Sequence, residues 1–157
     1  MTEPASFSWT PTDGSRRPFE ITAVVGYGDD AWVRASADVL HWKVKTRSGF
    51  RVDSPGPVVP GERVSVTVTA LGVTVMEPVE VVAVVQDVAR VGFAYRTLPG
   101  HPVDGEEAFI VHREGEEVLL TIRSLTRASP QQPWRALYPG LQLIQRLVRW
   151  RYLRSLS

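Results

Sequence analysis

The amino-acid sequence predicts an α+β fold in which a curved antiparallel sheet is covered by a short N-terminal helix and a long C-terminal helix. Three observations support this prediction. Alternating apolar and polar residues in several short segments are typical of half-buried strands. Turn-forming residues join these segments at short spacing, and the last part of the chain has apolar residues at helical spacing. A helix laid across the concave face of such a sheet would bury both apolar surfaces at once.

The first predicted elements are a strand and a helix. The segment from Pro18 to Gly26 is rich in residues that favour strands, and it ends at glycines. Asp29 or Asp30 then caps a helix over residues 31–42. The apolar positions expected on its buried side are Trp32, Val33, Val39 and Leu40.

The centre of the chain has the pattern of successive antiparallel strands. In residues 63–70, Val64, Val66 and Val68 alternate with polar residues and therefore share one face. The Glu114-Gly115 pair indicates a hairpin turn later in the chain. The other strands are expected over residues 73–76, 79–86, 91–97, 108–113 and 117–126.

The final helix is predicted from about Pro139 to Ser155. A proline is tolerated in the first turn, because backbone N–H groups there have no partner within the helix. Its apolar stripe is formed by Leu141, Ile144, Val148 and Tyr152. At 100° per residue, Arg151 falls near this stripe. A buried arginine needs a carboxylate partner or an anionic ligand. The alternatives are an internal pair with Glu106 or Glu107, a stem lying on apolar surface with its head in water, or a clamp for a ligand.

Length and composition indicate one domain, residues 18–157, preceded by a flexible N-terminal arm, residues 1–17. The chain has no cysteine, which excludes disulfides, thiolate metal sites and cysteine nucleophiles. The polar N-terminal segment and the lack of a long apolar run predict a cytoplasmic protein with no membrane span.

Charge is distributed unevenly along the chain. After Glu117 there is no acidic residue, and the remainder of the chain has 11 basic against 17 acidic residues. We favour mutual attraction of the two parts over an anion-facing surface. A chain of net charge +1 gives little support to nucleic-acid binding, and none is expected. The basic residues after Glu117 are Arg123, Arg127, Arg135, Arg146, Arg149, Arg151 and Arg154.

A dense motif occupies Gly92–Tyr95, Thr97–Pro102 and Gly105–Glu107, and the chain ends on an arginine-rich helix containing Arg151–Leu153. These segments resemble the family called domain of unknown function 1990, an uncharacterised group in bacteria and plants. The resemblance covers nearly everything beyond residue 18 and implies no established activity. Arg96 stands where the family pattern has glycine, so we expect this side chain to narrow or close a site there. The order of elements also resembles the helix-grip arrangement of lipid-transfer and polyketide-cyclase-like proteins.

Chemistry-bearing side chains are concentrated in the motif loop. Tyr95, His101, Glu106 and Glu107 surround a turn stiffened by proline and glycine, and such groups could support acid–base catalysis. The alternative is a structural crossover in which one carboxylate binds the loop backbone. The histidines are isolated and the nucleotide-binding fingerprints are incomplete, so we expect no metal site and no cofactor.

The leading hypothesis is non-catalytic binding of a small hydrophobic, amphipathic or anionic molecule between the sheet and the C-terminal helix. Such a binder needs a cavity of roughly 300 Å³ or more. One alternative is an enzyme of undefined class that uses His101 with Glu106 or Glu107, and another is a ligand-free interaction module. The protein is expected to be a monomer or a homodimer. The expected ligand-binding residues are Phe93, Tyr95, Thr97, His101 and Arg151.

Overall fold

The fold is built on an antiparallel sheet. A computed structural model of the protein describes residues 1–12, 14–70, 72–130 and 134–157, and within these ranges seven strands form one sheet of order β1-β7-β6-β5-β4-β3-β2. Every neighbouring pair is antiparallel. The strands are β1 (Arg17–Tyr27), β2 (Phe50–Val52), β3 (Arg63–Ala70), β4 (Val73–Asp87), β5 (Arg90–Thr97), β6 (Val103–Glu114) and β7 (Glu117–Ala128).

Three helices accompany the sheet in the described ranges: α1 (Gly28–Leu40), α2 (Lys43–Thr46) and α3 (Trp134–Arg154). The first two lie between β1 and β2, and α3 follows β7. This arrangement confirms the predicted α+β class, an antiparallel sheet with a short N-terminal helix and a C-terminal helix. The helix α3 begins before the predicted Pro139, because the preceding segment also contains good helix formers such as alanine and leucine.

The core lies on the inner face of the sheet and is rich in aromatic rings. Trp42, Phe93 and Phe109 are fully buried. Trp42 meets Phe93 edge-on at 4.7 Å between ring centroids, and Phe109 meets Tyr152 of α3 in the same way at 5.2 Å. Edge-to-face contacts of this kind stabilise a fold beyond the area they bury. The aromatic layer therefore packs Tyr152 of α3 against the sheet.

The helix α1 differs from its prediction in its cap and in its buried face. Its N-cap is Tyr27, and Asp29 and Asp30 lie in the first turn, where their charges favour the helix dipole. The predicted stripe was wrong at Val33, whose side chain is 66% exposed. The buried positions are Ala31, Ala35 and Val39, because close approach of α1 to the sheet leaves room only for small side chains.

The strands predicted over residues 73–76 and 79–86 are one strand, β4, which continues through Pro78. Pairing of β4 with β5 begins at Val79. The missing N–H group of Pro78 therefore removes no hydrogen bond from the ladder between β4 and β5, and the strand continues without a gap.

The N-terminal arm lies on the outer face of the sheet. The buried side chain of Arg123 donates to the backbone carbonyls of Glu3 and Ser6, and Arg90 donates to those of Pro4 and Ser6. These bonds hold residues that the sequence suggested were only loosely attached. Arg123 also pairs with Glu20 at 2.5 Å, an example of the attraction expected between the basic and acidic parts of the chain.

Candidate functional site

A cavity of about 350 Å³ lies between the inner face of the sheet and α3. The sheet supplies its floor, and one face of α3 together with the loop between β5 and β6 supplies its cover. Two groups of side chains line it. The first, which we call the apolar wall, consists of Val68, Val73, Val75, Ile144 and Val148. The second, which we call the polar cluster, consists of Lys45, Glu77, Tyr95, His101, Glu107 and Tyr152.

Lys45 is at the centre of the polar cluster. Its Nζ donates to the Tyr152 hydroxyl at 2.6 Å and pairs with Glu107 at 3.2 Å. The same ammonium lies 4.8–5.8 Å from the centroids of four aromatic rings, close enough for cation–π attraction. These partners compensate a charge on a side chain that is only 4% exposed.

The position of Lys45 follows from the chain reversal between α1 and α2. Trp42 adopts a left-handed backbone conformation, with φ of 60°, and this ends α1 and starts α2 in a new direction. At the end of this segment Arg47 donates to the carbonyl of Ser155 at 3.0 Å, which fixes α2 against the end of α3. The four-residue helix thereby directs Lys45 into the cavity.

Glu107 and the two tyrosines complete this side of the cluster. The Tyr95 hydroxyl donates to Glu107, which lies directly opposite it on β6. Burial, followed by the negative charge of Glu107, raises the pKa of Tyr95 well above its ordinary value, and the same two causes act on Tyr152. Both side chains therefore remain neutral phenols. The carboxylate of Glu107 is bonded by Tyr95 and Lys45.

Glu77 and His101 form the other side of the cluster. Glu77 extends from the inner face of β4, and His101 lies in the turn after Gly100, which has a φ of +100°. His101 Nε2 and Glu77 Oε2 are 3.9 Å apart. Burial raises the pKa of Glu77. Burial and the positive charge of Lys45 lower the pKa of His101 to about 4, so this imidazole is neutral at pH 7.

Five of the candidate site residues singled out from the sequence belong to the cavity lining: Tyr95, Thr97, His101, Glu106 and Glu107. Phe93 does not line it, because this ring is packed in the core beneath Trp42.

Glu106 belongs to the cavity lining, but its carboxylate is bonded on the other side of the sheet, since neighbouring residues of a strand face opposite sides. It accepts hydrogen bonds from the backbone and hydroxyl of Thr2 at 3.0 and 2.8 Å on the outer face. The hydrogen-bond partner of its carboxylate is therefore the N-terminal arm rather than His101.

Arg151 is exposed and lies in an open surface groove with Arg47 and Gly49, outside the cavity lining. Its expected position near the apolar stripe was wrong because the buried face of α3 is centred on Tyr152, and Ile144 is 55% exposed at its margin. The side chains of Leu141 and Arg135, which entered the helix and charge predictions, lie outside the described part of the structure.

Arg96 does not narrow the cavity. Its side chain is 56% exposed and pairs with Glu80. Tyr95 and Thr97, its neighbours on β5, both line the cavity, so the alternation of the strand turns Arg96 to the outer face.

Sequence reasoning missed Lys45, Glu77 and Tyr152 as site residues. Glu77 did carry a signal, because it interrupts the valines that occupy every second position of β4. A carboxylate on an otherwise apolar strand face indicates a polar cluster or a ligand. Tyr152 was placed on the apolar stripe of α3 but was treated as a packing residue, and Lys45 stands in a segment without a periodic pattern.

Two further observations concern the described residues only. They contain no group of three or more histidine or carboxylate side chains arranged to hold a metal ion. Nor does any helix among them combine the length and the apolar character needed to cross a membrane.

The sheet, the overlying helix and the cavity between them define a helix-grip type of protein. The chain belongs to the family described as domain of unknown function (DUF1990), which matches residues 8–155. No curated protein matches the sequence significantly.

Solved structures with a similar fold include the ZhuI aromatase/cyclase from Streptomyces sp. R1128, with 20% identity, a TM-score of 0.60, and coverage of 90% of this chain and 91% of that one. The protein TTHA0849 from Thermus thermophilus has 14% identity and a TM-score of 0.60, covering 89% and 94%. The hypothetical protein jhp0584 from Helicobacter pylori has 15% identity and a TM-score of 0.59, covering 88% and 83%. At these identities the likeness shows the fold alone.

Proposed function

We propose that the protein binds a small hydrophobic or amphipathic molecule, without transforming it, in the cavity between the sheet and α3. The observation that carries this proposal is the cavity itself. Its volume of about 350 Å³ falls within the range of small-molecule sites. A core that existed only for stability would be filled to the density of the rest of the interior.

The distribution of polar groups supports an amphipathic ligand. The apolar wall offers valine and isoleucine side chains from β3, β4 and α3. The polar cluster places its hydrogen-bonding groups in the same cavity. A pocket with mainly apolar walls and a few fixed polar groups is typical of sites that orient a small molecule.

The electrostatics of the cluster favour binding over acid–base catalysis. The carboxylate of Glu107 is already engaged by Lys45 and Tyr95. With a pKa of about 4, His101 is a weak base at neutral pH and carries no proton to donate as an imidazolium. We therefore place the enzymatic function second. A cytoplasmic location and a monomeric or homodimeric state remain part of the proposal.

The test is native mass spectrometry of the full chain purified without detergent, followed by organic extraction of any retained compound. The comparison is between the wild type, Val75→Trp and Val88→Trp. Val75 lines the cavity, whereas Val88 is 94% exposed in the turn after β4. A tryptophan at position 75 adds bulk to the cavity lining and leaves less room for a ligand, and the same residue at position 88 controls for added bulk.

We expect a small molecule at stoichiometric ratio on the wild type and on Val88→Trp, and its loss on Val75→Trp. Equal retention by all three proteins would contradict the proposal, because the compound would then be bound outside the cavity. A bare mass for the wild type, combined with no binding of added apolar compounds, would contradict it as well.

A further inference from the structure

We propose that the cavity selects ligands that carry a hydroxyl group, either an alcohol or a phenol, and that this group binds between His101 Nε2 and the carboxylate of Glu77. The inference rests on the proposed function and narrows it to a chemical class. It is carried by the hydrogen-bonding geometry of these two residues.

The His101 ring presents a donor to the cavity. The backbone N–H of Val103 donates to His101 Nδ1 at 3.0 Å, so this nitrogen carries no proton. A neutral imidazole then has its proton on Nε2. This is the nitrogen nearest to Glu77, and the ring belongs to the cavity lining. Burial and the positive charge of Lys45 lower the pKa of the ring, so it is neutral at pH 7.

The Glu77 carboxylate presents an acceptor. Among the residues that the structure describes, no donor makes a hydrogen bond with it, and its nearest partner is His101 at 3.9 Å. This contact is longer than a hydrogen bond. The side chain is 18% exposed and lines the cavity. A carboxylate removed from bulk water without a donor leaves hydrogen-bonding capacity unused, and a ligand can satisfy it.

The separation of these two groups fits one bridging oxygen atom. An oxygen about 2.8 Å from both atoms would see them at an angle of about 90°, which is acceptable for hydrogen bonds to a hydroxyl. The hydroxyl accepts from His101 Nε2–H and donates to Glu77. The oxygen of a hydroxyl group can accept one hydrogen bond and donate another at the same time.

Other ligand head groups fit less well. A carboxylate ligand would meet Glu77 and Glu107, while Lys45 is already engaged by Glu107 and Tyr152. An ammonium ligand has no acceptor for the His101 proton. It would also find the aromatic rings around Lys45 already occupied by a cation.

The test is isothermal titration calorimetry at pH 7 with two probes of nearly the same shape, 1-naphthol and 1-methoxynaphthalene. The ether keeps the oxygen acceptor but lacks the donor that Glu77 requires. We expect the wild type to bind the naphthol about tenfold more tightly than the ether or better, as expected for a hydrogen bond to a charged group.

Three variants locate the preference. Glu77→Leu is expected to bind both probes with equal affinity, and Glu77→Gln to keep part of the preference because its amide oxygen still accepts. Glu80→Leu is the matched control, since Glu80 lies on the same strand but pairs with Arg96 on the outer face. This control is expected to keep the full preference.

The inference and the proposed function fail differently. If the wild type binds the two probes with equal affinity and Val75→Trp weakens both, the hydroxyl selection is overturned. Binding in the cavity is then still supported. A preference that survives in Glu77→Leu would also overturn it. Binding of neither probe, together with a bare mass for the wild type, would overturn both.

Discussion

At the scale of single residues, the cavity is organised by Lys45. Its ammonium connects α2 to Glu107 on β6 and to Tyr152 on α3. Three elements that are distant in sequence thus share one charge. Removal of one partner of such a buried pair is costly, because the other is left charged and uncompensated.

Replacement of Lys45 by methionine is therefore expected to lower the free energy of unfolding by about 3 kcal/mol. The methionine side chain fills about the same space as lysine. The loss of stability therefore reports the missing charge partner of Glu107 more than lost packing. Urea unfolding followed by circular dichroism measures the change. In the double variant Lys45→Met/Glu107→Gln much of the stability should return. A loss equal to the sum of the losses of the two single variants would contradict the pairing.

His101 gives the stability a dependence on pH. Its pKa is about 4 in the folded protein against an ordinary value of 6.5. Between these values the unfolded chain binds more protons, so the contribution of His101 to stability is lost as the pH falls from 6.5 to 4. The loss is about 3 kcal/mol. The raised pKa of Glu77 acts in the opposite direction.

The measurement is the free energy of unfolding of the wild type and of His101→Gln at several pH values from 7 to 4. Glu77 titrates in both proteins, so the difference between them isolates the histidine. We expect the wild-type curve to fall more steeply between pH 6.5 and 4. Parallel curves would show that His101 is not buried as a neutral ring.

At the scale of elements, the close contact of β6 with β7 depends on glycine. A Cβ atom added at Gly105 would lie 2.0 Å from the carbonyl oxygen of Leu125. That oxygen belongs to the backbone of the neighbouring strand and can move only if the sheet deforms. The overlap occurs beside the cavity, which Gly105 also lines.

Gly105→Ala is expected to reduce the free energy of unfolding by about 2 kcal/mol or more. The matched control is Gly56→Ala, since a Cβ at Gly56 meets nothing within 4 Å and its backbone is not left-handed. This control should change stability by less than about 0.5 kcal/mol. Thermal unfolding compares the two, and equal stabilities would contradict the close approach.

The elements differed in how far they could be predicted. Period-two alternation predicted β3, and its valines at 64 and 66 are buried as expected. The helix α2 was missed, because four residues are too few to show a helical period. Its direction is set by the left-handed Trp42, and bulky residues rarely adopt that conformation. Lys45 could not be placed in the site for the same reason.

At the scale of the whole molecule, the order of strands and helices in the sequence was enough to predict a sheet covered by a C-terminal helix. The site was harder, because its polar cluster joins α2, β4, β5, β6 and α3. Contacts across such distances in sequence depend on register. Arg151 illustrates this. The sequence assigned it to the buried face of α3, whereas its side chain lies in the surface groove.

The central claim is that the cavity, rather than the surface, is the binding site. The most direct test is a titration of the methyl-labelled protein with 1-naphthol, followed by two-dimensional ¹³C–¹H NMR. We expect shifts concentrated on the methyl groups of the apolar wall, with the exposed Val59 and Val88 unchanged. Shifts on Val59 and Val88 with the apolar wall unchanged, or shifts spread evenly over the methyl groups, would contradict the account.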